Sequence, residues 1–294
     1  MTLKIAFLIS GCARNYIYTT FSFKKYIFNK CKNADIFISF KENSRIYYLK
    51  ENIQKKIIKE YKIPIDDTIK DLTYLQLMFG NKLKYFGYDN EEYIQHLITN
   101  KLNNIDHSIK NKVSVNVLDQ YARVKNIAEI FDKYTQDNNV DYDIVIRLRL
   151  DNLWWVNNIN LEDYLIDKNK LYFSYIDWEK SKHNNLPNWI QDFFFMGDKN
   201  LMMYVMKNFF ENLYSSSEFI NHHELNNSPE IQLGEYINSN QYLRDKIIVS
   251  EIRFNLYSLA VSRPLYLTGY FVGSKKNVYN SLRICLNLKK KYNI

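Results

Sequence analysis

The stretch Asp141-Tyr-Asp-Ile-Val-Ile-Arg-Leu-Arg-Leu-Asp151 restricts the possible folds more than any other part of the chain. Extended, it sends Ile144, Ile146, Leu148 and Leu150 to one face and Val145, Arg147, Arg149 and Asp151 to the other. The first face needs a continuous apolar layer; the second turns from apolar to charged toward its carboxyl end. Such a strand suits an α/β sheet, in which ligands bind outside the carboxyl ends of the strands. Arg147 and Arg149 are therefore candidates for holding an anionic ligand. Asp151 is a candidate ligand for a divalent cation that bridges two phosphates. The alternative is a structural ion-pair cluster of these arginines with Asp141, Asp143 or Asp151, costly if buried without partners.

The opening of the chain supports the same class. Lys4–Ser10 reads as a first strand, Thr20–Lys30 as a helix, Ala34–Phe40 as a second strand and Ser44–Tyr61 as a helix ended at Ile63-Pro64. This β-α-β-α order predicts a mostly parallel sheet covered by helices. Residues 68–116 read as a helical insertion, with short helices near Tyr74–Phe79 and Glu91–Thr99. Val117–Tyr134 is a clearer helix and leads into the charged strand. Strands follow at Leu171–Tyr175 and Phe193–Met196, helices at Leu201–Leu213 and Glu230–Asn238, and short strands at Lys246–Val249 and Ile252–Asn255. No repeat or linker divides residues 1–294, so a single domain is expected.

Composition excludes more than it selects. Seven Gly and four Pro are few for a many-turned barrel or sandwich. The 25 Tyr and 18 Phe accompany an excess of Asn, Lys and Ile that reflects compositional bias. A formal charge of +8 favours anionic partners without choosing among phosphates, nucleic acid and membrane surfaces. No nucleic-acid recognition motif accompanies the charge, so no nucleic-acid partner is expected. The basic segment 270–294 is either a packed terminal helix with a solvated side or a peripheral membrane contact. Three cysteines without metal spacing suit a reducing, cytoplasmic compartment. The apolar opening is too short for a membrane span.

Further site candidates each carry a plain alternative. Gly11-Cys12-Ala13-Arg14 is either a simple turn or a phosphate contact through backbone N–H groups and Arg14. Neither GxGxxG nor a Walker A pattern is present. Trp154 and Trp189 either stack on a sugar or base or fill the core. Asp192 is a candidate general base or a partner for backbone donors. Glu230 either acts as a second base or simply favours its helix N-terminus. His222-His223 has no partners at metal spacing and reads as surface.

Three segments in this order resemble a family of glycosyltransferases from bacterial surface-polysaccharide loci and large DNA viruses: Lys4–Arg14 with Ala34–Ile38, Tyr142–Asp151, and Asp192–Gly197 with Pro229-Glu230. The resemblance implies a GT-A fold, a Rossmann-like half binding a nucleotide-diphosphate sugar and another half holding a glycan or glycoconjugate acceptor. It places Gly11 and Arg14 at the nucleotide and Asp151 at the last acid of the Asp-x-Asp motif that binds Mn²⁺ or Mg²⁺. Position 149 is Arg rather than Asp, so Arg147 and Arg149 are expected to neutralise part of the diphosphate. An inverting enzyme would use Asp192, or else Glu230, to deprotonate the acceptor hydroxyl. A catalytically inactive nucleotide- or glycan-binding protein is the alternative. If viral, the protein would work in the host cytoplasm.

Overall fold

Ile5–Cys12 (β1), Ala34–Lys41 (β2), Leu83–Tyr88 (β3), Ile144–Leu148 (β4), Leu171–Ser174 (β6), Phe194–Asp198 (β7) and Ile247–Ser250 (β8) form one seven-stranded sheet in the order β3-β2-β1-β4-β7-β6-β8. Asn152–Leu153 (β5) pairs separately with Tyr257–Ser258 (β9). The computed structural model describes residues 3–13, 16–42, 71–108, 110, 113–150, 152–153, 169–174, 192, 194–214, 229–250 and 257–258. In the large sheet β7 runs antiparallel to its neighbours β4 and β6, and every other pairing is parallel. The architecture is a Rossmann-like α/β fold with a mixed, mostly parallel sheet.

The helices are Tyr16–Tyr26 (α1), Asp71–Phe79 (α2), Glu91–Asn104 (α3), Val115–Asp137 (α4), Lys199–Asn212 (α5), Pro229–Ser239 (α6) and Gln241–Arg244 (α7). The period of two in the strands sorts the core into two layers. Ile5, Phe7 and Ile9 of β1, with Ile144, Ile146, Leu148 and Leu150, pack against α1 and α2. Ala6 and Leu8, with Phe37, Val145 and Phe195, pack beneath α3, α4 and α5. The sequence-derived division of 144–150 into two faces is therefore the division between the two cores. Aromatic residues interlock within each layer. Phe37 meets Phe131 at 5.1 Å and Tyr134 at 5.0 Å, and Phe7 meets Phe23 at 5.3 Å, all edge to face. Each such pair adds about 0.5–1.5 kcal/mol beyond its buried area.

Local signals explain several helix starts. The side chain of Asp198 accepts from the N–H groups of Asn200 and Leu201, and Asn90 accepts from Tyr93, capping α5 and α3. Residues 68–116 differ from the all-helical expectation, because they include β3. That strand pairs in parallel with β2 from Ile36↔Leu83 to Phe40↔Tyr88, with a register shift after Ile36. Leu-Lys-Tyr-Phe-Gly-Tyr lacks β-branched residues, and its side chains are only half-buried to exposed along the sheet edge. Lys84 is a charged residue of the kind that blunts an edge strand, and it lies 3.8 Å from Asp35. The expected helix Ser44–Tyr61, the strand Ile252–Asn255 and the basic segment 270–294 lie outside the described residues. Among the described residues no helix is long and apolar enough to cross a membrane.

Phe131 is fully buried and touches Phe37, and its ring also lies 5.3 Å from that of Tyr142. Phe131→Ala is expected to cost about 3–5 kcal/mol in urea unfolding. A loss below about 1 kcal/mol would contradict the central role given to the α4–sheet layer.

Candidate functional site

From β1 the chain moves outward to β2 and β3, then returns to β4 on the other side of β1. The carboxyl ends of β1 and β4 thus flank a topological switch point, the crevice where open α/β sheets bind ligands. The last residues paired between these strands are Ile9 and Leu148. Gly11 and Leu150 both lie two residues beyond, at the rim. Because β7 is reversed, its start comes to this same rim: Leu148 pairs with Phe194, and Asp192 stands two residues earlier. α4 starts here too, since its second turn reaches Lys41 at the end of β2 and also Asp192.

Gly11 is not in a turn after the strand, as its sequence suggested. It lies within β1, opposite Phe40, at φ +118°, a conformation that L side chains rarely adopt. A glycine there lets the strand continue through a bend at the rim. The two arginines of β4 separate. Arg147 is buried inside the α4 layer, with its guanidinium 5.7 Å from the Phe195 ring centre. Arg149 keeps a quarter of its side chain exposed, and its Nη1 lies 3.5 Å from Oδ2 of Asp192. Asp192 is only 2 % exposed and also accepts a hydrogen bond from Gln120 Nε2.

Tyr121 joins these groups. Its hydroxyl donates to the carbonyl of Pro229, the first residue of α6, at 2.9 Å. Burial first, then the negative charges of Asp192 and Glu230, push its phenol well above the usual tyrosine range, against the opposing charges of Arg147 and Arg149. Four residues singled out from the sequence, Arg147, Arg149, Asp192 and Glu230, therefore act on one buried phenol. The backbone before position 151 is fixed as well, since Thr19 donates to the carbonyl of Leu150. Arg14, Asp151, Trp154, Trp189 and His222-His223 lie outside the described residues.

A charged network supports the rim beside this group. Arg123, buried in α4, donates to Asp89 at 2.6 Å, to both oxygens of Glu91 at 2.8 Å, and to both oxygens of Asp119 at 2.7 and 3.1 Å. Asp89 also accepts from Ser39 and, at 2.9 Å, from Asn126. On the opposite face Asp71 accepts from Tyr16 and Tyr88, each at 2.6 Å, tying α1, α2 and the end of β3 together. Gln120, Tyr121, Asp89 and Arg123 belong to no motif in the sequence that marks them as functional. Arg123 and Asn126 are buried in α4 although the apolar spacing of its sequence does not include them.

Among the described residues no group of three or more His, Cys, Asp and Glu could hold a metal ion. The groups at the tip of β4 are guanidiniums, so the described residues do not fit a divalent cation. No family model matches the chain, and no curated protein matches it.

Burial alone would raise the Asp119 carboxyl. The hydrogen bonds and charge of Arg123, with Lys41 adding to them, outweigh it and hold the group below the usual range. A depressed carboxylate contributes stability that is complete above its unfolded pKa and lost as pH falls through the folded one. The stability difference between wild type and Asp119→Asn is expected to be constant from neutrality to about pH 5 and to shrink below about pH 4. Urea titrations at stepped pH measure it; a difference that held or grew down to about pH 3 would contradict the pairing.

Proposed function

We propose that this chain transfers a sugar from a nucleotide-diphosphate donor to a hydroxyl of a glycan or glycoconjugate acceptor, on a fold of the GT-A type. The observation that carries the reading is the pairing at one sheet edge of Arg149, a quarter exposed, with the buried Asp192, beside Tyr121, whose hydroxyl holds the Pro229 carbonyl next to Glu230. The switch-point position of this group supports it, and the resemblance read in Lys4–Arg14 with Ala34–Ile38, Tyr142–Asp151, and Asp192–Gly197 with Pro229-Glu230 implies the same chemistry.

In this reading the acceptor oxygen bonds to the anomeric carbon while the bond from that carbon to the diphosphate oxygen breaks, the electron pair leaving with the diphosphate. Arg149 is the described side chain suited to offset that growing charge, with Arg147 adding positive potential from beneath. With inversion, the hydroxyl proton passes to one carboxylate, that of Asp192 or, as the alternative, that of Glu230. Gly11 and Arg14 would lie against the nucleotide, and Trp154 or Trp189 against sugar or base. Asp151 is the residue that would take Mn²⁺ or Mg²⁺; no step above depends on a cation. The contact of Asp192 with Arg149 and Gln120 favours a second reading, a binding protein without turnover, because these partners already occupy the carboxylate that a general base must offer to the acceptor hydroxyl.

The test is hydrolysis or transfer with a panel of nucleotide sugars, with and without Mn²⁺, beside nucleoside-diphosphate titrations. Arg149→Met is expected to weaken diphosphate binding about tenfold or more, the equivalent of about 1.4 kcal/mol. Donor binding without turnover on any acceptor would select the second reading. No nucleotide binding, with unchanged behaviour in Asp151→Asn, would overturn the sugar-transfer reading.

A further inference from the structure

We infer that Gln120 and Tyr121, adjacent on α4, are positioning residues that set the geometry of the two candidate carboxylates, Gln120 for Asp192 and Tyr121 for Glu230. The inference rests on the sugar-transfer reading above and goes beyond it by naming what holds the acid–base groups in place.

Neighbouring residues on a helix diverge by about 100°, so one turn can reach two separate segments. Gln120 uses this divergence to donate to Asp192 ahead of β7, and Tyr121 to donate to the Pro229 carbonyl at the start of α6. Proline at a helix start has a fixed φ and no N–H to satisfy, so its orientation passes stiffly to the next residue, Glu230. A carbonyl oxygen has two lone pairs, so Pro229 can take the phenol without giving up its helical partner.

The platform is rigid. α4 spans 23 residues, and the Tyr121 ring stands edge-on to Phe209 of α5 at 4.3 Å. Two residues along, Arg123 is locked by three carboxylates. Asp192 is held from two elements, α4 through Gln120 and the end of β4 through Arg149, and it acts together with Arg147, Arg149 and Glu230 on the Tyr121 phenol. Removing the Gln120 donor would leave Arg149 to hold Asp192 at 3.5 Å, a long contact at the limit of a hydrogen bond.

Three variants test the inference. Tyr121→Phe keeps the ring against Phe209 and removes only the hydroxyl. It is expected to lower kcat about tenfold or more, with donor KM within about threefold, because misplacement affects the reacting geometry and not donor binding. Gln120→Met should split kcat from KM in the same way. Gln120→Glu places a second carboxylate against Asp192. One of two acids sharing a site is raised, so the acid limb of the kcat profile should move up by about one pH unit or more. That displacement separates positioning from a folding defect, which would lower activity at every pH alike. Active wild type with all three variants within about twofold in kcat and an unmoved acid limb would overturn the inference alone. Wild type without transfer or donor hydrolysis would overturn the sugar-transfer reading and the inference with it.

Discussion

The parallel pairing of β1 with β4 decides where Arg147 and Arg149 lie and where Asp192 meets them. Ile5 pairs with Ile144 across most of the first half of the chain, and the register runs unbroken to Ile9 and Leu148. A slip of one residue would send Ile144, Ile146 and Leu148 into the α4 layer and drive Arg147 among Phe7, Phe23 and Phe28. The apolar face of β4 thus specifies the register, and the register aims the arginines. The pairing also creates the switch point, since β2 and β3 extend the sheet on one side of β1 and β4, β7, β6 and β8 on the other.

Buried charge is the second constraint. An uncompensated ion in this interior would cost several kcal/mol, so each buried acid near the rim comes with donors already arranged. Asp89 has Ser39, Arg123 and Asn126; Asp71 has two tyrosines; Asp192 has Gln120 and Arg149. Replacing such groups with apolar residues of similar size is often neutral or stabilising. Their concentration along the carboxyl edge therefore fits a role in ordering that edge better than a role in general stability. Arg123 shows this best, since one side chain joins the segment after β3, the start of α3 and α4.

The sequence revealed what depends on local pattern. The alternation in 144–150, the apolar first and second strands and the helical period of α4 each follow from side chains that repeat with their own backbone geometry. β3 was not legible, because a half-buried edge strand without β-branched residues carries no alternation. At the site, Arg149, Asp192 and Glu230 were legible as charged residues at element ends. What brings them together was not. That depends on β7 running backwards, which carries Asp192 to the carboxyl edge, and on Gln120 and Tyr121, which within α4 look like ordinary helix residues. Arg147 and Arg149 looked equivalent in the sequence, yet the depth of β4 buries the first and leaves the second at the rim.

In the proposed function, the edge between β1 and β4 receives the diphosphate of a nucleotide donor. A crystal structure with a nucleoside diphosphate, grown with and without Mn²⁺, addresses it most directly. The expected result is diphosphate oxygens within about 3 Å of the Arg149 guanidinium, with the nucleotide against the backbone at Gly11. A nucleotide seated away from this edge, or none at saturating concentration, would contradict the account.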